Sequence, residues 1–191
     1  MNKKILLIII TLIMLTSCRS KTSTTEVTTD KNLNQAVENN TEETIKISEE
    51  NIGVKANDLN FPMLNGKNFV LSKLEGKPVL INVWATWCPP CVGEMPAFEK
   101  LKNEYKDKIN IVAIDFGEEK NVVEKFMKEN NYTFDVALDA NGETAELYDF
   151  QGIPFTFLVD KEGKVVNIFR GSRGEEAQYN LYKNAIERVL R

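Results

Sequence analysis

Strand-like and helical patterns alternate along the chain from about residue 52 onward, and this alternation predicts an α/β fold. The expected architecture is a sandwich, a mixed central sheet flanked by helices, with an N-terminal β-hairpin extension. Two observations carry the prediction. Val79–Trp84 and Ile109–Phe116 are mostly apolar and β-branched, as strands buried on both faces are, and a helical spacing lies between them. Phe155–Val159 and Val165–Phe169 flank Asp160-Lys161-Glu162-Gly163, a hairpin signal that adds an antiparallel pair.

Each element has its own signal. Leu59–Leu64 and Asn68–Leu71, joined by Asn65-Gly66, read as the hairpin ahead of the first core strand. After Val79–Trp84, the stretch Pro89–Tyr105 spaces Met95, Phe98 and Leu101 as one helix, kinked early by Pro96. Ile109–Phe116 is the next strand. Asn121–Asn130 collects Val122, Val123, Phe126 and Met127 on one helical face. Phe134–Leu138 reads as a short strand and Glu143–Tyr148 as a short helix. Past the late hairpin, Glu175–Leu190 closes the chain as an amphipathic helix with Tyr179, Tyr182, Ile186 and Val189/Leu190 on one side. Residues 52–191 are enough for one domain with a sizeable core.

The residues before this domain have a different character. Lys3 and Lys4 precede Ile5–Leu15, an almost purely apolar run of 11 residues. A membrane-spanning helix needs ~20, whereas a signal-peptide core is this short. Thr16 and Ser17 stand before Cys18, and this end of the run resembles a bacterial lipobox. That resemblance implies a diacylated Cys18 at the mature N-terminus. An ordinary signal peptide and an uncleaved anchor are the alternatives. Every one of these readings places the rest of the chain outside the cytoplasm, where disulfides persist. Arg19–Glu50 is too polar to offset its ordering entropy and reads as a disordered tether, roughly 30 Å long on average. The expected organisation is therefore 1–17 signal peptide, 18–51 lipidated cysteine and linker, and 52–191 folded domain.

Of three cysteines, two stand in Trp84-Ala85-Thr86-Trp87-Cys88-Pro89-Pro90-Cys91, between a strand signal and a helix signal. Cys88 falls at a helix N-terminus, where orphan amides and the helix dipole favour a thiolate. The thiolate is the nucleophile, so Cys88 is expected to be the exposed attacking sulfur. Cys91, one turn further, is placed to resolve a mixed disulfide. Pro89 and Pro90 remove two backbone donors and stiffen the turn. Structural zinc would want four Cys/His ligands, and the sequence has no histidine. A purely structural disulfide is the other alternative, but its loop is too small to stabilise much.

A longer set of residues now matters: Gly76 through Cys91, then Glu94-Met95-Pro96, then Gly152-Ile153-Pro154-Phe155-Thr156-Phe157-Leu158. With these the chain resembles the thioredoxin-like proteins, and among them the TlpA/ResA-like membrane-anchored thiol–disulfide oxidoreductases, over about Ile52–Arg191. The resemblance implies a redox-active Cys88–Cys91 disulfide in a thioredoxin-like sandwich. It implies a buried acid at Glu94 and a cis Ile153–Pro154 bond, with Ile153, Pro154, Trp87, Pro89 and Pro90 on the substrate side. Asn82 stands where thioredoxins usually carry a buried aspartate, which moves any proton role toward Glu94.

The implied partners are disulfides or thiols of exported proteins, a membrane electron-transfer protein as redox donor, and the membrane itself through the lipid. The usual direction in the family is reduction, apocytochrome c before haem attachment being one substrate. An oxidase that introduces disulfides is the alternative within the class, and a non-catalytic binding lipoprotein the alternative outside it. The absence of histidine excludes Cys–His nucleophilic catalysis and a Ser-His-Asp triad. Ala85, where a peroxiredoxin would have threonine, argues against that chemistry. No metal and no dissociable cofactor is expected. The formal net charge of −4, with basic residues scattered singly, gives no support for nucleic-acid binding. A monomer is expected.

Overall fold

The computed structural model describes Glu50 and residues 52–191; the expected signal peptide, Cys18 and all of the linker but Glu50 lie outside the described residues. Five strands form one mixed sheet in the order β5-β4-β3-β6-β7. Its centre is β3 (Val79–Trp84), every residue of which is buried. On one side β3 runs parallel to β4 (Asn110–Phe116), which runs parallel to β5 (Asp135–Asp139). On the other, β6 (Phe155–Val159) runs antiparallel to β3, and β7 (Val165–Arg170) antiparallel to β6. The expected mixed sheet is present.

Side chains alternate across a strand, so β3 divides its residues between two cores. Val79, Ile81 and Val83 join the side that holds the N-terminal hairpin, β1 (Asn60–Pro62) and β2 (Asn68–Val70). Two short strands alone are marginal; here Leu59, Phe61 and Phe69 bury against Phe155 and Phe157. Met63 bridges to Ala137, which ties the hairpin to β5. Gly66 takes the left-handed φ of +80° that the turn requires.

Leu80 and Trp84 face the opposite core, where the helices lie. These are α1 (Pro89–Val92), α2 (Met95–Tyr105), α3 (Lys120–Glu129) and α5 (Glu175–Val189), whereas α4 (Glu143–Leu147) packs its Leu147 into the core on the hairpin side. Met95, Phe98 and Leu101 of α2 pack with Tyr182 and Ile186 of α5, Phe98 and Tyr182 at a ring separation of 5.2 Å.

Three expectations need correction. The single helix Pro89–Tyr105 is two helices, interrupted at Gly93 and Glu94. Pro96 has no N–H for the Val92 carbonyl and its ring crowds that carbonyl, so the ladder stops rather than bends. In α3 the inward stripe is Val123 and Met127, with Phe126 half-buried; Val122, 100° round from Val123, is 44% exposed. Leu190 likewise lies past the end of α5 and faces solvent.

Candidate active site

The antiparallel pairing of β3 with β6 assembles the site. Val83 sits opposite Phe155, so the loop leaving β3 and the residues entering β6 emerge side by side. The first carries Trp87 and Cys88. The second carries the Ile153–Pro154 bond, which is cis as the resemblance implied. The Ile153 carbonyl oxygen lies 3.7 Å from Cys88 Sγ. Pro154 is buried, and Ile153 is half-buried beside the sulfur.

Cys88 and Cys91 are joined in a disulfide, their Cα atoms 5.2 Å apart. Cys88 is the N-cap of α1, with Pro89 and Pro90 in the first two helical positions. Because neither proline has an N–H, the first free amide of the helix belongs to Cys91. It donates to Cys88 Sγ at 3.3 Å. The general expectation of orphan amides near the sulfur thus narrows to one donor.

The expected exposure of Cys88 is not found: it is only 4% accessible. Cys91 covers one side of its sulfur and Ile153 another. Trp87, 64% exposed, with exposed Pro89 and Pro90, carries the open surface in front of it. Trp84 is fully buried against Phe126, ring centroids 5.2 Å apart, and belongs to the core.

Glu94 stands at the break between α1 and α2 and is fully buried. Its Oε1 accepts from Asn82 Nδ2 at 2.8 Å, and Tyr182 donates to its Oε2 at 3.4 Å. Burial pushes this carboxyl up to about 7, while donors on Ser172, Asn82 and Tyr182 pull it down. A carboxyl poised there exchanges a proton near neutrality. Asn82 occupies the position at the sheet centre from which it bonds both Glu94 and Thr156.

Sequence reasoning missed a second carboxylate group at the site. Glu118 accepts from the Thr86 backbone N–H and from its hydroxyl, both at 2.6 Å, and so grips the loop that carries Trp87 and Cys88. Behind it, Asp115 at the end of β4 is fully buried and accepts from the Glu118 amide at 3.1 Å. Burial, then the neighbouring Glu118 and Asp139 carboxylates, push Asp115 up to about 8. The signal was there: Asp115 is a charged residue inside a run read as buried on both faces.

A disulfide-bonded cysteine pair at a helix N-cap, beside a cis-proline loop and a buried acid, defines a thiol–disulfide oxidoreductase of the thioredoxin fold. The Redoxin family model matches residues 51–186, and the chain belongs to the Redoxin family. It is similar to the thiol-disulfide oxidoreductase ResA of Bacillus subtilis (strain 168), 40% identical over 124 residues, which cover 64% of this chain and 69% of that protein. ResA of Bacillus thuringiensis subsp. konkukian is 38% identical over 126 residues, 65% of this chain and 73% of the relative. Among solved structures, a candidate thiol:disulfide interchange protein DsbE from Chlorobium tepidum superposes with a TM-score of 0.68 at 31% identity, covering 74% of this chain and 99% of that one. The chain is accordingly a TlpA/ResA-like oxidoreductase.

Proposed function

We propose that this oxidoreductase works on the extracytoplasmic face of a cell membrane, held there by a lipid on Cys18, and reduces disulfides of exported proteins. Apocytochrome c before haem attachment is the substrate type that the ResA likeness suggests. A membrane electron-transfer protein returns the Cys88–Cys91 pair to its dithiol form. The observation that carries the chemical part is the seat of Cys88 Sγ, between the Cys91 amide at 3.3 Å and the Ile153 carbonyl at 3.7 Å.

The Cys88 thiolate, favoured by the Cys91 N–H, attacks a substrate disulfide; that S–S bond breaks, a mixed disulfide forms, and one substrate thiolate leaves. Cys91 gives its proton to Glu94 and attacks Cys88 Sγ. The Cys88–Cys91 bond forms and the second substrate thiolate departs, two electrons having passed to the substrate. During this exchange an extended substrate segment pairs with the backbone at Ile153, beside cis-Pro154. Trp87, Pro89 and Pro90 supply the apolar contact surface. Tethering serves this reaction, because a lipid-held domain meets partners at the same membrane surface.

The test is trapping. In Cys91→Ser the mixed disulfide on Cys88 cannot be resolved, so the substrate stays attached and is identified by mass spectrometry. A cytochrome precursor or another exported protein is the expected catch, and insulin-disulfide reduction is expected to vanish in Cys88→Ser. A well-folded parent that never reduces insulin and traps nothing would make this a binding module instead.

A further inference from the structure

Glu94 belongs to a buried ring of hydrogen bonds whose direction can be assigned atom by atom. The Arg173 backbone N–H donates to Gln178 Oε1 at 3.1 Å, which leaves Gln178 Nε2 to donate to the Tyr182 hydroxyl oxygen at 2.7 Å. Asn82 Nδ2 spends its two hydrogens on Glu94 Oε1 and Thr156 Oγ1, each at 2.8 Å. Thr156 and Tyr182 are 2.9 Å apart, and Tyr182 is 3.4 Å from Glu94 Oε2.

A hydroxyl has one hydrogen and two lone pairs. Thr156 already accepts from Asn82, and Tyr182 already accepts from Gln178. If Tyr182 gave its hydrogen to Thr156, the Thr156 hydrogen would have no place in the ring and the carboxylate would face an oxygen lone pair. The arrangement that uses both hydroxyl hydrogens runs from Thr156 to Tyr182 to Glu94. Asn82, Glu94, Thr156, Gln178 and Tyr182 are all at most 1% exposed, so water does not compete for these bonds.

We propose that Tyr182 is a positioning residue for disulfide exchange, a hydroxyl donor that Gln178 and Thr156 aim at the Glu94 carboxylate. This rests on Glu94 being the group that takes the Cys91 proton. Burial alone would lock a carboxyl in its neutral form, useless as a proton acceptor. A directed donor stabilises the anion and keeps Glu94 able to accept. A proton on Glu94 Oε2 directed at Tyr182 reverses the ring, Glu94 donating to Tyr182 and Tyr182 to Thr156, and the Thr156 hydrogen loses its partner. The ring therefore favours passing the proton on, which readies Glu94 for the next turnover. The groups facing Glu94 are the titratable Tyr182 from α5 and two uncharged donors, Asn82 from β3 and Ser172 after β7, with Thr156 from β6 one bond further away behind Asn82 and Tyr182. Cys91, one turn earlier, titrates when reduced.

The experiment compares the purified full-length chain with Tyr182→Phe, Gln178→Leu and Glu94→Gln. Phenylalanine keeps the ring that packs on Phe98 and Phe169. The titration of Glu94 is read by carbon NMR of its labelled carboxyl, and the resolving step by the pH profile of exchange. Tyr182→Phe is expected to raise the Glu94 midpoint by about one pH unit, a tenfold loss of anion at a fixed pH below it, and to move the exchange profile with it. Gln178→Leu leaves the hydroxyl but frees its direction, and is expected to move the midpoint less. An unchanged Glu94 midpoint in both variants overturns the proposal while leaving Glu94 as the acid. A displaced midpoint with exchange profiles in Tyr182→Phe and Glu94→Gln identical to the parent's overturns the role of Glu94 itself, and this role with it.

Discussion

At the scale of single residues, the chemistry depends on keeping a carboxyl usable in a place with no water. Glu94 is pushed up to about 7 by burial, so it is neutral below that pH and ionised above it. To take the Cys91 proton it must be ionised, so resolution of the mixed disulfide should accelerate as pH rises through about 7. Glu94→Gln keeps the shape and removes the titration. Stopped-flow exchange with a disulfide peptide is expected to show that limb in the parent and to lose it in the variant, with a rate at pH 8 lower by tenfold or more. Matching curves would remove Glu94 from the proton path. The reacting residues were legible because two thiols, a following acid and a Gly-Ile-Pro at a distance form a pattern in the chain. The Glu118 grip on Thr86 was not. It joins residues 32 positions apart, and a solvent-facing glutamate has the same letter as one that clamps a loop.

At the scale of elements, the short α1 matters because of what its prolines withhold. With Pro89 and Pro90 in the first turn, Cys91 alone among the described residues donates to the Cys88 sulfur. Pro90→Ala restores an N–H at the second helical position, within reach of an N-cap side chain. The expected outcome is a lower Cys88 thiol pKa in the reduced protein, by about half a pH unit to one, because a second donor favours the anion. Thiolate absorbance near 240 nm as a function of pH measures it, and an unchanged or higher value would deny the amide its role. The strands were legible from their apolar, β-branched runs, and β3 and β4 fall within a residue of the expected bounds. The break at Gly93 and Glu94 was not, since periodicity continues through it and Pro96 alone permits either a kink or a stop. That break has a consequence for the site: it turns Glu94 from a helix-surface position into the N-cap of α2, pointing into the core.

At the scale of the whole molecule, the buried carboxyls that serve the site set how stability responds to pH. Glu94 has an ordinary value of 4.5 and a folded value of about 7; Asp115 has an ordinary value of 3.8 and a folded value of about 8. Between the ordinary and folded values the folded state holds more protons than the unfolded chain, so stability falls as pH rises from about 4 to about 8. Glu99 and Glu104 act the other way. Their carboxyls are held below the usual value, Glu99 by Thr133 and Asn103, which outweigh its burial, and Glu104 by Lys183 and Tyr179, so their contribution is lost as pH drops below 4.5. The two slopes place the stability maximum of the oxidised protein between about pH 4 and 4.5, on the acid side of neutrality. Because the cysteines are joined, they do not titrate in this comparison. For Glu94 alone the fall between pH 5 and pH 8 is on the order of 3 kcal/mol at most, at about 1.4 kcal/mol for each pH unit that separates its folded value from its ordinary one. Urea denaturation at the two pH values is expected to give a lower midpoint at pH 8, and Glu94→Gln with Asp115→Asn is expected to flatten the difference. A parent as stable at pH 8 as at pH 5 would mean that folding leaves these carboxyls at their ordinary values. The slope thus measures, in one number for the whole fold, what it costs to keep titratable acids beside the disulfide.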